Sequence, residues 1–365
     1  MDKGYDFIKP IGKHSIYKFQ LIQEYVSSWA EKLLNTKMCN EIVFIDCMCN
    51  CGEYIFEGKT VYGTPVRVAN LLSVVAKKYP DKKITLYFND FSKEKVDYLT
   101  HFLPQNTENF TIYLSSIDGN ILIKKLGRRF KINTHYLLVY DPFEAKIDWD
   151  AIEPYINGWS EVILNHMVSD TRRAIRTVKR EEAREKYEMT YQVDIRELIS
   201  LASDKNAYEQ RILSIIENIR NNPRPFYIAS FPFFNSKNAL EYNFIHCTSN
   251  KIGFRLFKTC AWKVFGGHSS NKNIYGKEDQ YRFDFVDDAS SFFEDSECYT
   301  VHNVVEYVYR NFKDANKVKL NNVWDFLYNH PIFPVDKFKN IIKNELKKEY
   351  GVKESKGFLI FRDEE

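Results

Sequence analysis

Four apolar runs in this chain each stop on an aspartate: Glu41-Ile-Val-Phe-Ile-Asp46, Lys82-Lys-Ile-Thr-Leu-Tyr-Phe-Asn-Asp90, Phe110-Thr-Ile-Tyr-Leu-Ser-Ser-Ile-Asp118 and His135-Tyr-Leu-Leu-Val-Tyr-Asp141. Carboxylates at successive strand tips can converge on one ligand, because the carboxyl ends of parallel strands open into a crevice where the strand order reverses. An acid in the position of Asp90, with Phe91 beside it, suits the two hydroxyls of a ribose, since a carboxylate accepts both hydrogen bonds. Asp46, Cys47 and Gly52 would line the same ligand, and the Ser116-Ile117-Asp118 loop would border a base. Asp141-Pro142-Phe143 is the most informative tripeptide. Its acid can accept from an amino group, its proline fixes the backbone, and its ring can stack on a planar substrate. Each aspartate taken alone is equally an ordinary turn former.

The turn after Asp46 reads Cys47-Met-Cys-Asn-Cys-Gly52. It lacks the G-x-G-x-x-G spacing that cradles a pyrophosphate, which argues against a nicotinamide or flavin cofactor. A lone adenosyl group demands fewer glycines, so an S-adenosylmethionine site remains open. Thiols at 47, 49 and 51 are soft ligands of the kind zinc or an iron–sulfur centre takes, but the alternate spacing is not that of structural zinc sites. Small buried thiols are the favoured reading, and no metal site is assigned.

Positioning these tips requires strands alternating with helices. Leu21, Ile22, Tyr25, Val26, Trp29 and Leu33 recur at helical spacing, predicting an amphipathic helix over 15–34 with Ser15 as cap. His14 and Lys18 at its start either reach the site or form an exposed pair. Gly63-Thr-Pro65 turns into a helix over 66–78, a further helix covers 92–103, and Ser160 to Asn165 reads as a fifth strand. Repeated β-then-α units imply right-handed crossovers, hence a Rossmann-like, doubly wound α/β sheet. Tyr227 and Leu240 lie in paired late strands, with a helix over 251–265.

Composition bounds the function classes. The 365 residues are 44% hydrophobic and 16% aromatic, ample for a sizeable core, and 52 basic against 49 acidic side chains leave only +3. Any nucleic-acid surface must therefore be local. No signal segment opens the sequence and no apolar run approaches the roughly 20 residues of a membrane span, so a cytoplasmic protein with no membrane contact is expected. Seven cysteines without a framework spacing point to reduced thiols.

Two stretches depart from the α/β pattern. Residues 170–186 carry seven basic and four acidic side chains, and Arg172, Arg173, Arg176, Lys179 and Arg180 belong to a stripe that can track phosphates or stand as a solvated face. Together with the following helices they form an expected helical insertion over about 171–221. From 311 to the end, a helix over 318–328, a helix over 335–350 and a hairpin through 352–361 make a winged-helix-like module, with residues 1–310 as the main domain. Counted from Arg310, that tail holds twelve basic and nine acidic residues. Lys343 and Lys347 lie on its second helix, where a recognition helix would place phosphate or base contacts.

With these residues in view, the chain resembles the three-Cys-motif partner family of prokaryotic methyltransferase-like proteins. The likeness rests on His14-Ser-Ile-Tyr-Lys18, Phe44-Ile-Asp46 with its turn, Gly63-Thr-Pro65, Asn89-Asp90, Asp141-Pro-Phe143 and Asn250-Lys-Ile-Gly253, across much of the first 265 residues. The first turn departs from the family pattern Asp-x-Phe-Ala-Gly-x-Gly, which puts bulk where a methionine moiety would pass. The resemblance implies a class I S-adenosylmethionine-dependent methyltransferase fold and a neighbouring iron–sulfur partner protein that carries the three cysteines of the family name. The leading expectation is methyl transfer to a nucleic-acid base or related nucleophile, in a modification or defence system. The alternatives are a catalytically degenerate fold serving as a nucleic-acid- or partner-binding subunit, and a metal-dependent redox protein built on Cys47, Cys49 and Cys51.

Overall fold

The structure, a computed structural model, describes residues 6–142, 144–156, 158–168, 171, 175, 181–202, 206–221, 224–273 and 298–361. Its centre is β1 (Glu41–Asp46), buried at all six positions. The strand pairs in parallel with β4 (Lys83–Asn89) on one side and β6 (Thr134–Tyr140) on the other, which seals both edges. β5 (Phe110–Ser115) extends the sheet beyond β4, and β7 (Ser160–His166) extends it beyond β6. A final hairpin of β8 (Tyr227–Phe234) and β9 (Leu240–Thr248) adds on with β9 antiparallel to both β7 and β8. The order among the described residues is β5-β4-β1-β6-β7-β9-β8. The chain first moves outward from β1 through β4 to β5, then returns to β6, so the crevice lies at the carboxyl ends of β1 and its neighbours.

Alternation along β1 divides the interior in two. Ile42 and Phe44 face a core shared with α1 (Lys13–Leu34), α2 (Thr64–Lys78) and α9 (Lys251–Val264). Val43 and Ile45 face a second core. It is shared with α5 (Trp149–Ile156) and with α6 (Glu181–Tyr191), α7 (Ile195–Leu201) and α8 (Ala207–Ile219). Those last three helices stand between β7 and β8, where the helical insertion was expected. A parallel-dominated sheet with helices on both faces, ending in an antiparallel hairpin, is a Rossmann-like α/β architecture.

Local departures from expectation have local causes. The first helix begins at Lys13, and Ser15 lies inside it, donating its backbone N–H to Gly12 at the N-cap. Between β1 and α2 the chain forms a small hairpin, β2 (Glu53–Phe56) with β3 (Lys59–Tyr62), where only a turn was anticipated. Its apolar residues alternate over too few positions to stand out.

Residue 310 falls inside α10 (Val301–Phe312), which is followed by β10 (Lys317–Lys319), α11 (Leu320–Asn329), α12 (Lys339–Tyr350) and a hairpin of β11 (Lys353–Ser355) and β12 (Phe358–Ile360). The anticipated helix over 318–328 is thus a short strand running into α11. The one expected over 335–350 opens with a 3-10 turn at Asp336–Phe338. β12 pairs with both β10 and β11 in a separate three-stranded sheet. The tail is fused to the main body: Val304, Leu327 and Leu346 join the α1-side core. Trp262 of α9 donates its indole N–H to the Ile332 carbonyl at 3.0 Å. Lys258 of α9 is buried and donates to the carbonyls of Tyr328 at 3.1 Å and His330 at 2.5 Å.

Candidate functional site

The strand tips meet as the topology requires. Asp46 ends β1 and accepts the Met48 backbone N–H at 3.4 Å. Asp90, one residue beyond β4, accepts from Asn50 N at 3.1 Å and from Ser92 N at 3.0 Å, tying the cysteine-containing turn to the next loop. Asn89 does as much from beneath. Its Nδ2 donates to the carbonyls of Cys47 and Ile117 at 3.0 and 2.9 Å, and its Oδ1 accepts from Ser115 Oγ at 2.7 Å and from Ile117 N. Asp118 caps α4 (Gly119–Gly127), accepting from Asn120 N and Ile121 N.

These loops enclose a cavity of about 250 Å³ lined by Cys47, Met48, Asp90, Phe91, Asp118, Gly119, Asn120, Tyr140, Pro142, Glu144 and Lys146. Phe91 is 82% exposed at its edge, and Ile117 and Ile121 on the neighbouring loop and helix are exposed as well. Large apolar side chains held in water beside a cavity rimmed by carboxylates are the unusual feature of this surface. Gly119 permits a close approach: a Cβ there would lie 2.7 Å from the Cys47 carbonyl oxygen and 3.2 Å from Met48 Cε. The first turn therefore packs directly on the start of α4.

Of the expected cofactor set, Cys47, Asp90, Phe91 and Asp118 line this cavity, with Ser116 and Ile117 in the loop leading to Asp118. Asp46 is buried just behind it, and Gly52 lies elsewhere. Gly52 holds a φ of +78° and its would-be Cβ would collide with Leu99 and Val66, so its role is packing against α2 and α3 (Lys93–Leu99).

Asp141 sits on a different side of the crevice. Its carboxylate receives Lys18 Nζ of α1 at 2.6 Å and Asn165 Nδ2 of β7 at 2.5 Å. Lys18 also lies over the ring of Tyr242, 5.6 Å from its centroid, and His14 meets the same ring edge-on. His14 and Lys18 thus lie together beside Tyr242, with Lys18 paired to Asp141. Two buried polar atoms in this recess, Asn165 Oδ1 and His14 Nδ1, have no hydrogen-bond partner among the described residues. Burial lowers the pKa of His14, with the Lys18 charge adding to the effect and Glu241 opposing it. Burial, reinforced by the neighbouring Asp141 charge, pushes Asp46 up to about 7. Burial likewise raises Tyr54 and Tyr242.

Asn165 and Tyr242 were not anticipated as site residues, and Asn89 was noted only as part of the Asn89-Asp90 strand end. Asn165 had a visible signal, since it lies near the end of a predicted strand as the aspartates do. Tyr242 had none, because its relation to His14 spans the length of the domain.

The thiols diverge. Cys47 Sγ donates to the Val139 carbonyl, Cys49 to Asn50 and Cys51 to Glu53, and burial raises all three pKa values. No three metal-binding side chains converge among the described residues. Phe143, Arg172, Arg173, Arg176, Lys179 and Arg180 lie outside the described residues. Lys343 pairs with Glu354 of the tail hairpin at 3.0 Å, and Lys347 is exposed in the last turn of α12. No helix among the described residues is long and apolar enough to cross a membrane.

No protein-family model matches the chain, and no curated protein matches it. Among solved structures it is similar to the Legionella pneumophila protein LPL1258, at 10% identity and a TM-score of 0.40, over 68% of this chain and 93% of that one. It is also similar to human methyltransferase-like protein 13 in complex with SAH, at 10% identity and a TM-score of 0.33, over 73% and 96% of the two chains. A putative methyltransferase from Thermobifida fusca is 9% identical with a TM-score of 0.27, over 49% and 60%. These likenesses are faint, and the fold is read from strand order and register.

Proposed function

We propose that the chain binds S-adenosylmethionine in the strand-tip cavity and transfers its methyl group to a nitrogen of a nucleic-acid base or related planar nucleophile. The observation that carries this is the juxtaposition, across Pro142, of a cavity bearing Asp90, Phe91 and Asp118 with a recess bearing Lys18, Asp141 and Asn165. The residues present fit an adenosyl group. Each Asp90 oxygen accepts one backbone N–H and keeps a lone pair for a ribose hydroxyl. The exposed faces of Phe91 and Ile117 suit a purine.

Bound there, the sulfonium would supply an already activated methyl, leaving the protein to align donor and acceptor. In the recess, Lys18 and Asn165 fix the Asp141 carboxylate, which would accept a hydrogen from an acceptor amino group, and Asn165 Oδ1 offers a second acceptor. Asp46, protonating near neutrality, would sense the charge on Asp141 through their proximity.

Titration calorimetry of the whole protein with S-adenosylmethionine and its demethylated product tests the first requirement. Micromolar binding, lost in Asp90→Ala, supports it; no heat at protein concentrations suited to that affinity defeats it. Methyl transfer from labelled cofactor to DNA or RNA, absent in Asp141→Ala, then tests the acceptor class.

A second reading is favoured by the tail. Its order of helix, strand, helix, helix and hairpin, with β12 between β10 and β11, supports a winged-helix-like reading. With Met48 and buried thiols at the cavity, the fold would then act as a catalytically degenerate nucleic-acid- or partner-binding subunit, the partner being an iron–sulfur protein. Salt-sensitive duplex binding without cofactor retention would favour it.

A further inference from the structure

A second cleft, of about 420 Å³, lies where the main body meets the tail. Its walls are one face of α1 (Glu24, Ser28, Lys32), one face of α9 (Arg255, Thr259, Lys263) and the 3-10 turn carrying Asp336 and Lys337. Four cations and two anions line it, and both anions are engaged: Glu24 by Lys263 at 2.6 Å, Asp336 by the Tyr328 hydroxyl at 2.7 Å. Lys32 and Lys337 have no ion pair among the described residues. Arg255 lies flat on the Tyr328 ring, 3.4 Å from its centroid, with Asp325 only at 4.0 Å. Its Nε is buried and has no acceptor among the described residues. A stacked guanidinium with an unsatisfied donor, flanked by uncompensated lysines, matches an oxyanion whose oxygens take several N–H donors at once.

We propose that this cleft is a phosphate-binding site, taking the phosphates of a polynucleotide backbone or of a free polyphosphate. Lys32 and Lys337 supply charge from opposite walls, and Arg255 supplies the oriented donor. The cleft lies away from the residues assigned to methyl transfer and stands or falls separately from it.

The test uses the full chain with two probes, a fluorescein-labelled 20-base-pair duplex by anisotropy and inorganic tripolyphosphate by calorimetry. Three variants are compared: the double Lys32→Glu, Lys337→Glu; Arg255→Lys, which keeps the charge but removes the fork; and Lys93→Glu, an exposed control on α3. Weakening of the duplex by about tenfold or more in the first two but not the control, with a salt slope lower by about 2 in the double variant, assigns a polynucleotide. Loss of tripolyphosphate binding in the same two, with duplex binding unchanged, assigns a free polyphosphate. Unchanged binding of both probes, or equal weakening by Lys93→Glu, overturns the proposal. Unaltered thermal melting of the variants separates either result from misfolding.

Discussion

The two sides of the crevice are built differently. On the cavity side, Asp90 and Asp118 point their carboxylates at backbone N–H groups a few residues away or in the adjoining turn. On the recess side, Asp141 is held by side chains from α1 and β7, the first of them 123 residues distant in sequence. One side is organised by hydrogen bonds among neighbouring strand-tip loops, the other by side chains brought in from α1 and β7. The cavity should therefore tolerate perturbation far from it, whereas the recess should report on whether α1 is docked.

Asp46 stands between them and gives the largest expected effect. Its folded pKa, about 7, lies above its ordinary value near 4, so the folded protein holds this proton more tightly than the unfolded chain. Stability is then greatest at or below about pH 4 as far as this group is concerned, declines between about pH 4 and 7, and is flat above, the decline being on the order of 2–4 kcal/mol. Denaturant melts of Asp46→Asn should lack that decline; an unchanged pH profile would show that the carboxyl is not buried as described.

Gly119→Ala comes next. Its Cβ would press on the Cys47 carbonyl, and a loss of about 2 kcal/mol in denaturant unfolding is expected despite the better helix propensity of alanine. A neutral result would mean the first turn yields freely, weakening the claim that the cavity side is locally fixed. A double-mutant cycle of Lys18→Met and Asp141→Asn should then give a coupling of about 1–2 kcal/mol, since both partners are largely buried. Additivity of the two would erase the contrast between the sides. Asp118→Ala should cost about 1 kcal/mol as a lost cap. Phe91→Ala should leave stability within about 0.5 kcal/mol, because the ring is exposed, yet weaken S-adenosylmethionine binding by calorimetry.

The same contrast governs what the residues revealed in advance. β1, β4 and β6 were legible because buried parallel strands are continuous apolar runs with turn residues after them, and Asp46, Asp90 and Asp118 were legible with them. The cavity followed. The recess was legible only in part: Asp141 and Asn165 stand at strand ends and Lys18 at a helix start, but nothing local in Lys18 announces its pairing with Asp141 or its place over Tyr242. Gly52, read from the sequence as lining a ligand, holds a left-handed φ in a turn packed on Leu99, a contact nothing local announces. The hairpin at 53–62 and α10 escaped notice for want of length or of a clean boundary.

Lys258 carries a consequence for how the two halves of the molecule are made. Among the described residues its side chain finds its carbonyl acceptors at the end of α11, on Tyr328, and just after it, on His330, and Trp262, one helical turn further on, reaches Ile332. A chain shortened to end before α10 would leave a cation and an indole stranded on an apolar face, inviting self-association. The tail is thus less a movable attachment than the missing wall of α9, whose polar side chains are satisfied only once the chain has been made through Ile332.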